Sequence, residues 1–206
     1  MKKIVIAIDG PACSGKGTIA RLLASHFNFT YLDTGLLYRG AACVGIDKIN
    51  DMSVFDLLKI CTGVSSDILR SDAISAKASD IAKLPKIRPF LTKMQRDFVE
   101  NSRDKGFILD GRDIGTVVFP NADCKFFITA NLETRASRRF EALKQNNPQI
   151  TYDEVYQNLL RRDEQDSSRK IAPLFYDESY TLIDTSHETI NESFLRIVQK
   201  IPQFLR

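Results

Sequence analysis

Between Lys3 and Phe27 a stretch rich in β-branched residues runs through a glycine-punctuated loop into a segment with helical spacing. No other feature of the chain constrains its fold as strongly. Lys3 to Ile8 reads Lys-Ile-Val-Ile-Ala-Ile, nearly uniformly apolar, which suits a strand buried on both faces of a parallel sheet. Thr18 to Phe27 places Ile19, Leu22, Leu23 and Phe27 on one side, as an amphipathic helix does.

The loop between them is Gly10-Pro11-Ala12-Cys13-Ser14-Gly15-Lys16-Gly17-Thr18, which contains the spacing G-x-x-x-x-G-K. Gly10 and Gly15 permit tight, partly left-handed backbone, so successive amides point inward as an anion nest. The helix that follows presents its positive end to the same place, and Lys16 adds a point charge for β and γ phosphates. These features predict a nucleotide triphosphate site of the P-loop type. The strict pattern has Ser or Thr directly after the lysine; here Gly17 intervenes and Thr18 follows. Thr18 is therefore read as a contact to metal or to phosphate. Cys13 is read as a small side chain whose backbone serves the loop.

The remaining pattern alternates. Short strands are expected at Thr30 to Leu32, Gly106 to Leu109, Lys125 to Thr129 and Thr181 to Ile183. Helices are expected at Leu36 to Val44, Val54 to Cys61, Ser71 (as cap) to Leu84, Ile87 to Asn101, Leu132 to Lys144, Tyr152 to Asp163 and Ile190 to Ile201. Alternating strands and helices predict an α/β, doubly wound parallel sheet with ligands at the carboxyl ends of its strands. A surface turn is expected at Asn146-Asn147-Pro148-Gln149. At 206 residues and a net charge of +3, the chain suits one domain, and so weak a basic excess does not point to nucleic acid as partner. No apolar run approaches a membrane span, and Asp9-Gly10 interrupts the first apolar run too early for a signal peptide. The four scattered cysteines, Cys13, Cys43, Cys61 and Cys124, read as free thiols of a reducing compartment, and His26 and His187 match no ligand spacing.

Two further strings follow the second and third strands. One is Tyr31-Leu-Asp33-Thr34-Gly35-Leu-Leu-Tyr38-Arg39. The other is Gly106-Phe-Ile-Leu-Asp110-Gly111-Arg112-Asp113-Ile-Gly115-Thr-Val-Val-Phe-Pro120. With the glycine loop, they resemble the bacterial cytidylate kinase family over most of the chain. The resemblance implies a P-loop NTPase fold: a five-stranded parallel sheet with helices on both faces, an insert that binds the monophosphate, and a short helical lid. The expected boundaries are a core of residues 1–35, 90–145 and 170–206, an insert of 36–89 and a lid of 146–169. It also implies transfer of the γ-phosphate of ATP to CMP or dCMP, in a cytoplasmic, monomeric enzyme that uses Mg2+ and has neither nucleic-acid nor membrane partners.

Carried over position by position, the resemblance gives residues 10–18 and Arg135 to ATP, with Lys16, Arg112, Arg162 and Arg169 as the catalytic cations. Thr34, Arg39, Ser79, Arg88, Arg112, Asp113 and Arg162 fall to the acceptor nucleotide. Asp110, ending a buried strand, would order the water shell of Mg2+, which phosphates and water otherwise hold. Asp33 could cap the helix after it or face the ligand. The chemistry supports the base assignment independently. Cytosine's exocyclic amine needs an acceptor such as Asp113, whereas uracil would set a carbonyl against it. Arg135, Arg138 and Arg139 before the turn, and Arg161, Arg162 and Arg169 after it, are the expected lid cations. The chain departs from the family in carrying Gln165 and Ser167 where arginines are common, and in a shorter segment between Gly45 and Asp72. The alternatives are a related kinase with UMP, AMP or a small metabolite as acceptor, and a nucleotide-binding switch. The absence of an Asn-Lys-x-Asp string counts against a guanine-reading switch.

Overall fold

A computed structural model describes residues 2–49, 52–69, 71–145 and 147–205. Five parallel strands, β1 (Ile4–Asp9), β2 (Thr30–Asp33), β3 (Gly106–Gly111), β4 (Cys124–Thr129) and β5 (Thr181–Asp184), form one sheet in the order β2-β3-β1-β4-β5. The strand that precedes the glycine loop is therefore central, and β3, which precedes the Asp-Gly-Arg-Asp string, lies beside it in the register Asp9↔Gly111.

Side chains of β1 alternate between two cores, as the two-residue period of a strand requires. Val5 and Ala7 join Phe107 and Leu109 on one face, beneath α2 (Thr34–Val44), α3 (Val54–Gly63), α5 (Asp72–Ile81) and α6 (Ile87–Asn101). Ile6 and Ile8 join Ile108, Phe126 and Ile128 on the other, beneath α1 (Lys16–Phe27) and α9 (Ile190–Lys200). A single turn, α4 (Ser66–Leu69), precedes α5; the pattern of the sequence did not signal it. Between β4 and β5, α7 (Leu132–Lys144) and α8 (Tyr152–Ser168) pair over a small cluster of Ala12, Ala136, Val155 and Leu159.

Caps explain several boundaries. Asn28 ends α1 in the left-handed conformation, a common stop. Ser71 accepts from the Ile74 amide at the start of α5, and Thr151 with Glu154 makes a capping box on α8. α5 ends at Ile81, short of the expected Leu84, because residues 82–84 tighten into a turn before Pro85. α8 runs five residues past the expected Asp163. In its last turn the hydroxyls of Ser167 and Ser168 donate to the carbonyls of Asp163 and Glu164, four residues back. Of the turn expected at 146–149, Asn146 lies outside the described residues; the Asn147 amide donates to Leu143 O and the Asn147 side chain accepts from the Gln149 amide.

Gly10 has φ 149°, and a Cβ built there would stand 2.0 Å from the carbonyl oxygen of Ile128 on the neighbouring strand. Gly63, in the last turn of α3, has open space around it. Gly10→Ala should destabilise the protein by about 2–4 kcal/mol, lowering the melting temperature by about 5–10 °C. Gly63→Ala should leave it unchanged or slightly higher, by the lower backbone entropy of the unfolded chain. Thermal unfolding of the two variants side by side checks the difference.

Candidate active site

The carboxyl ends of β1, β2 and β3 open into one cleft of about 810 Å³, roofed by α5 on one side and α7 and α8 on the other. Along its floor run Ala12, Cys13, Ser14, Gly15, Lys16, Gly17 and Thr18. The loop is left-handed at Gly10 (φ 149°), Gly15 (φ 87°) and also Cys13 (φ 61°), which the sequence did not announce. A non-glycine residue in that region costs of order 1 kcal/mol, which the surrounding loop must offset. Gly10 and Pro11 lie behind the loop and do not face the cleft.

Lys16 points into the cleft with its ammonium 4.0 Å from Asp110 Oδ1. Burial lowers its pKa to about 8, the nearby Arg112 adds to the fall, and Asp110 opposes it. Asp110 ends β3. Its Oδ2 accepts the hydroxyl of Tyr31 at 2.8 Å. A Cβ on Gly17 would lie 2.9 Å from that same oxygen. A side chain directly after the lysine would press on the carboxylate, which accounts for the glycine found there. Among the described residues no group of three or more His, Cys, Asp and Glu could hold a metal ion unaided. The donor set instead suits a hard cation bound chiefly through phosphate oxygens, with Asp110 beside it. Thr18, on the first turn of α1, is exposed at the cleft edge.

The residues that the sequence assigned to the base lie together. Arg88, near the start of α6, is 3% exposed, and its NH1 donates to Asp113 Oδ2 at 2.6 Å and to the Tyr38 hydroxyl at 3.3 Å. Its Nε donates to Ala82 O, so the guanidinium is fixed from several sides. Ser79 lines the same wall from α5, joined by Ser75, which the sequence had not singled out. Thr34 and Arg39, on α2, also line the cleft, and the Thr34 hydroxyl donates to Asp110 O at 2.8 Å. Asp33 occupies the N-cap position of α2 without a side-chain cap bond and faces the cleft. Burial raises both Asp110 and Asp113 above the ordinary carboxylate range, while Lys16 and Arg88 pull each the other way.

Opposite them, Arg112 follows β3 and its Nε donates to Asp166 Oδ2 at 2.8 Å. Asp166 also holds Arg169, at 3.5 Å. Burial raises the Asp166 carboxyl, but Arg112, Arg162 and Arg169 outweigh it and hold the group below the usual carboxylate range. Arg162 has a buried Nε with no hydrogen-bond partner, and its pKa falls to about 10 because it is buried and faces Arg112. This corner therefore holds buried positive charge that an anion would relieve. Asp166 was missed in the sequence; once α8 reaches Ser168, it lies four residues from Arg162 and three from Arg169, on one face.

Arg135 lies elsewhere. Its Nε donates to Ala130 O, NH1 reaches Ala12 O at 3.4 Å, and NH2 pairs with Asp163 at 2.6 Å. It is buried behind the phosphate loop, facing a second, smaller hollow, whereas Arg138 and Arg139 line the main cleft. The arginine expected on ATP thus ties α8 to the back of the loop.

The family model described as "Cytidylate kinase" matches residues 6–203. A protein named "Cytidylate kinase" from Azorhizobium caulinodans is 44% identical over 96% of this chain and 98% of its own. One of the same name from Pseudothermotoga lettingae is 41% identical over 93% and 91%. Among solved structures, an uncharacterized protein from Eubacterium ventriosum aligns over 97% of this chain and 98% of its own with a TM-score of 0.59, at 17% identity. TT1252 from Thermus thermophilus aligns over 98% and 97% with a TM-score of 0.54, also at 17% identity. These last two likenesses speak for the fold alone.

Proposed function

The chain belongs to the cytidylate kinase family, and from that premise we propose how this cleft carries the family's reaction. The protein transfers the γ-phosphate of ATP to CMP or dCMP, giving ADP and CDP or dCDP. The observation that carries the residue-level reading is the juxtaposition, in one cleft, of the residue 12–18 loop with the Arg88–Asp113 pair.

Phosphoryl transfer needs positioning and charge neutralisation more than covalent help. The amides of residues 12–18 and Lys16 hold the donor's phosphates. Arg39 and Arg112 take the acceptor's phosphate, and Arg162 and Arg169 close on the transferred group from α8. No general base is needed, because a monophosphate oxygen is already anionic. A bound Mg2+ would supply charge neutralisation on the donor's phosphates; Asp110 would order its water shell, and Thr18, at the cleft edge, would offer a hydroxyl to the metal or to a phosphate. The parts of the chain at 36–89 and 146–169 act as acceptor insert and lid, and exclude the water that would otherwise take the phosphate. The four cysteines are free thiols, which suits the reducing, cytoplasmic setting proposed here.

In this reading Asp113 accepts the cytosine amine and Arg88, held by Tyr38 and Ala82, serves the ring acceptors. Activity should be highest with CMP and dCMP in an ATP-coupled assay across CMP, dCMP, UMP, AMP and GMP. Asp113→Asn should narrow the gap in kcat/KM between CMP and UMP by ~1–3 kcal/mol, the cost of one mismatched buried pair. Transfer to AMP but not CMP would refute the acceptor, and an unchanged CMP to UMP ratio would remove Asp113 from the base site.

A further inference from the structure

Asp9 ends β1 and is fully buried, yet no step above uses it. Its Oδ1 accepts the amide of Ile114 at 2.8 Å, and its Oδ2 accepts the amide of Gly115 at 2.9 Å and the hydroxyl of Tyr180 at 2.8 Å. Those two amides open the wide turn Ile114–Val118, for which Asp113 is the N-cap residue. Within the turn, the amides of Val117 and Val118 both return to the Asp113 carbonyl, at 2.9 and 3.1 Å. The opening amides have no such acceptor inside the turn, as at any helical start.

An aspartate at an N-cap ordinarily folds its carboxylate back onto the amides two and three residues ahead. Asp113 makes no such bond. The amide two residues ahead, that of Gly115, is already taken by Asp9, and the Asp113 carboxylate is turned instead to Arg88. Gly115 is part of the same arrangement: a Cβ there would stand 2.5 Å from the Tyr180 hydroxyl that donates to Asp9. We propose that Asp9 is a positioning residue for acceptor choice, capping the turn after Asp113 from the neighbouring strand so that the Asp113 carboxylate is left to read the base. This inference rests on the reading that Asp113 contacts cytosine.

The two claims separate experimentally. Wild type, Asp9→Asn, Asp113→Asn and Tyr180→Phe are compared for kcat/KM with CMP and with UMP, for KM of ATP, and for thermal unfolding. Asn at position 9 has one acceptor oxygen and turns an N–H toward a backbone N–H, which recruits Asp113 as the cap. The CMP to UMP ratio of Asp9→Asn should fall about tenfold through a higher KM for CMP, with KM for ATP within about twofold. Combined with Asp113→Asn it should add little further loss of selectivity, since both changes remove the same carboxylate from the base. Tyr180→Phe keeps both amide bonds and should keep the ratio. If Asp9→Asn does not fold, Asp9→Ala, which removes both acceptors without turning an N–H toward the amides, should show a fall of the same order. A folded position-9 variant with the wild-type ratio overturns the proposal, as does one whose losses fall equally on CMP, UMP and ATP. An unchanged ratio in Asp113→Asn instead overturns the base reading beneath it.

Discussion

Replacing Lys16 with alanine should lower kcat/KM by about a thousandfold or more, a loss of ~4 kcal/mol of transition-state stabilisation, without lowering the melting temperature. The activity loss follows from removing a full charge aimed at the transferred group in a water-poor cleft. The stability follows from what surrounds that charge in the free protein. Lys16 is half-buried and faces Arg112 and Arg162, and Asp110, at 4.0 Å, only partly compensates. Its folded pKa of about 8 lies below the 10.5 of a free lysine side chain, so the fold disfavours the protonated form. Below pH 8 both folded and unfolded chains carry the proton and the penalty is complete. Between 8 and 10.5 only the unfolded chain keeps it, so stability gains with rising pH. Wild type minus Lys16→Ala isolates this contribution: the variant should lack the gain. The pH dependence of denaturant midpoints would show it. A variant that retained full activity would refute the phosphate-loop assignment, and one that melted well below wild type would refute the account of its charge.

Arg112→Ala should damage activity somewhat less and, unlike Lys16→Ala, should also destabilise. The guanidinium is the main partner of Asp166, which is 5% exposed. Removing it leaves that carboxylate buried with Arg169 at 3.5 Å as its remaining direct ion pair. Breaking a buried pair from one side costs ~3–5 kcal/mol. Loss of the acceptor's phosphate contact should raise KM for CMP and lower kcat, for a combined fall of about a hundred- to a thousandfold. Arg112→Lys should recover little, because an ammonium cannot reproduce the planar fork. Adding Asp166→Asn to Arg112→Ala removes the stranded charge and should restore most of the stability and none of the rate. Steady-state kinetics with unfolding curves on the four proteins decides this. A KM for CMP unmoved by Arg112→Ala would take that residue off the acceptor.

Most of the fold could be read in advance because its signals are local. Buried parallel strands announce themselves as β-branched runs, and capping residues such as Ser71 and Thr151 mark starts. What escaped depends on distant partners. The wide turn at 114–118 is held by a carboxylate 105 residues earlier in the chain, which no window on the sequence can see. Asp166 became visible as a site residue only once α8 continued to Ser168 and set it beside Arg112 and Arg169. Arg135 and Arg139 share a helical face by spacing. They differ in depth: Arg135 sits one turn nearer the loop, level with the carbonyls of Ala12 and Ala130.

The sheet order carries a consequence for how such a protein can change. The donor's loop and the acceptor's phosphate arginine leave from adjacent strands, paired Asp9 to Gly111, so the span between them is fixed by a single ladder spacing of about 4.8 Å. In the proposed reading, Ser79 and Arg88 meet the base from helices α5 and α6, whereas Asp113 meets it from the frame itself. Transfer distance is therefore separable from only part of acceptor choice: residues 72–101 can vary around a fixed Asp113 while the rigid centre continues to deliver the phosphate across the same gap.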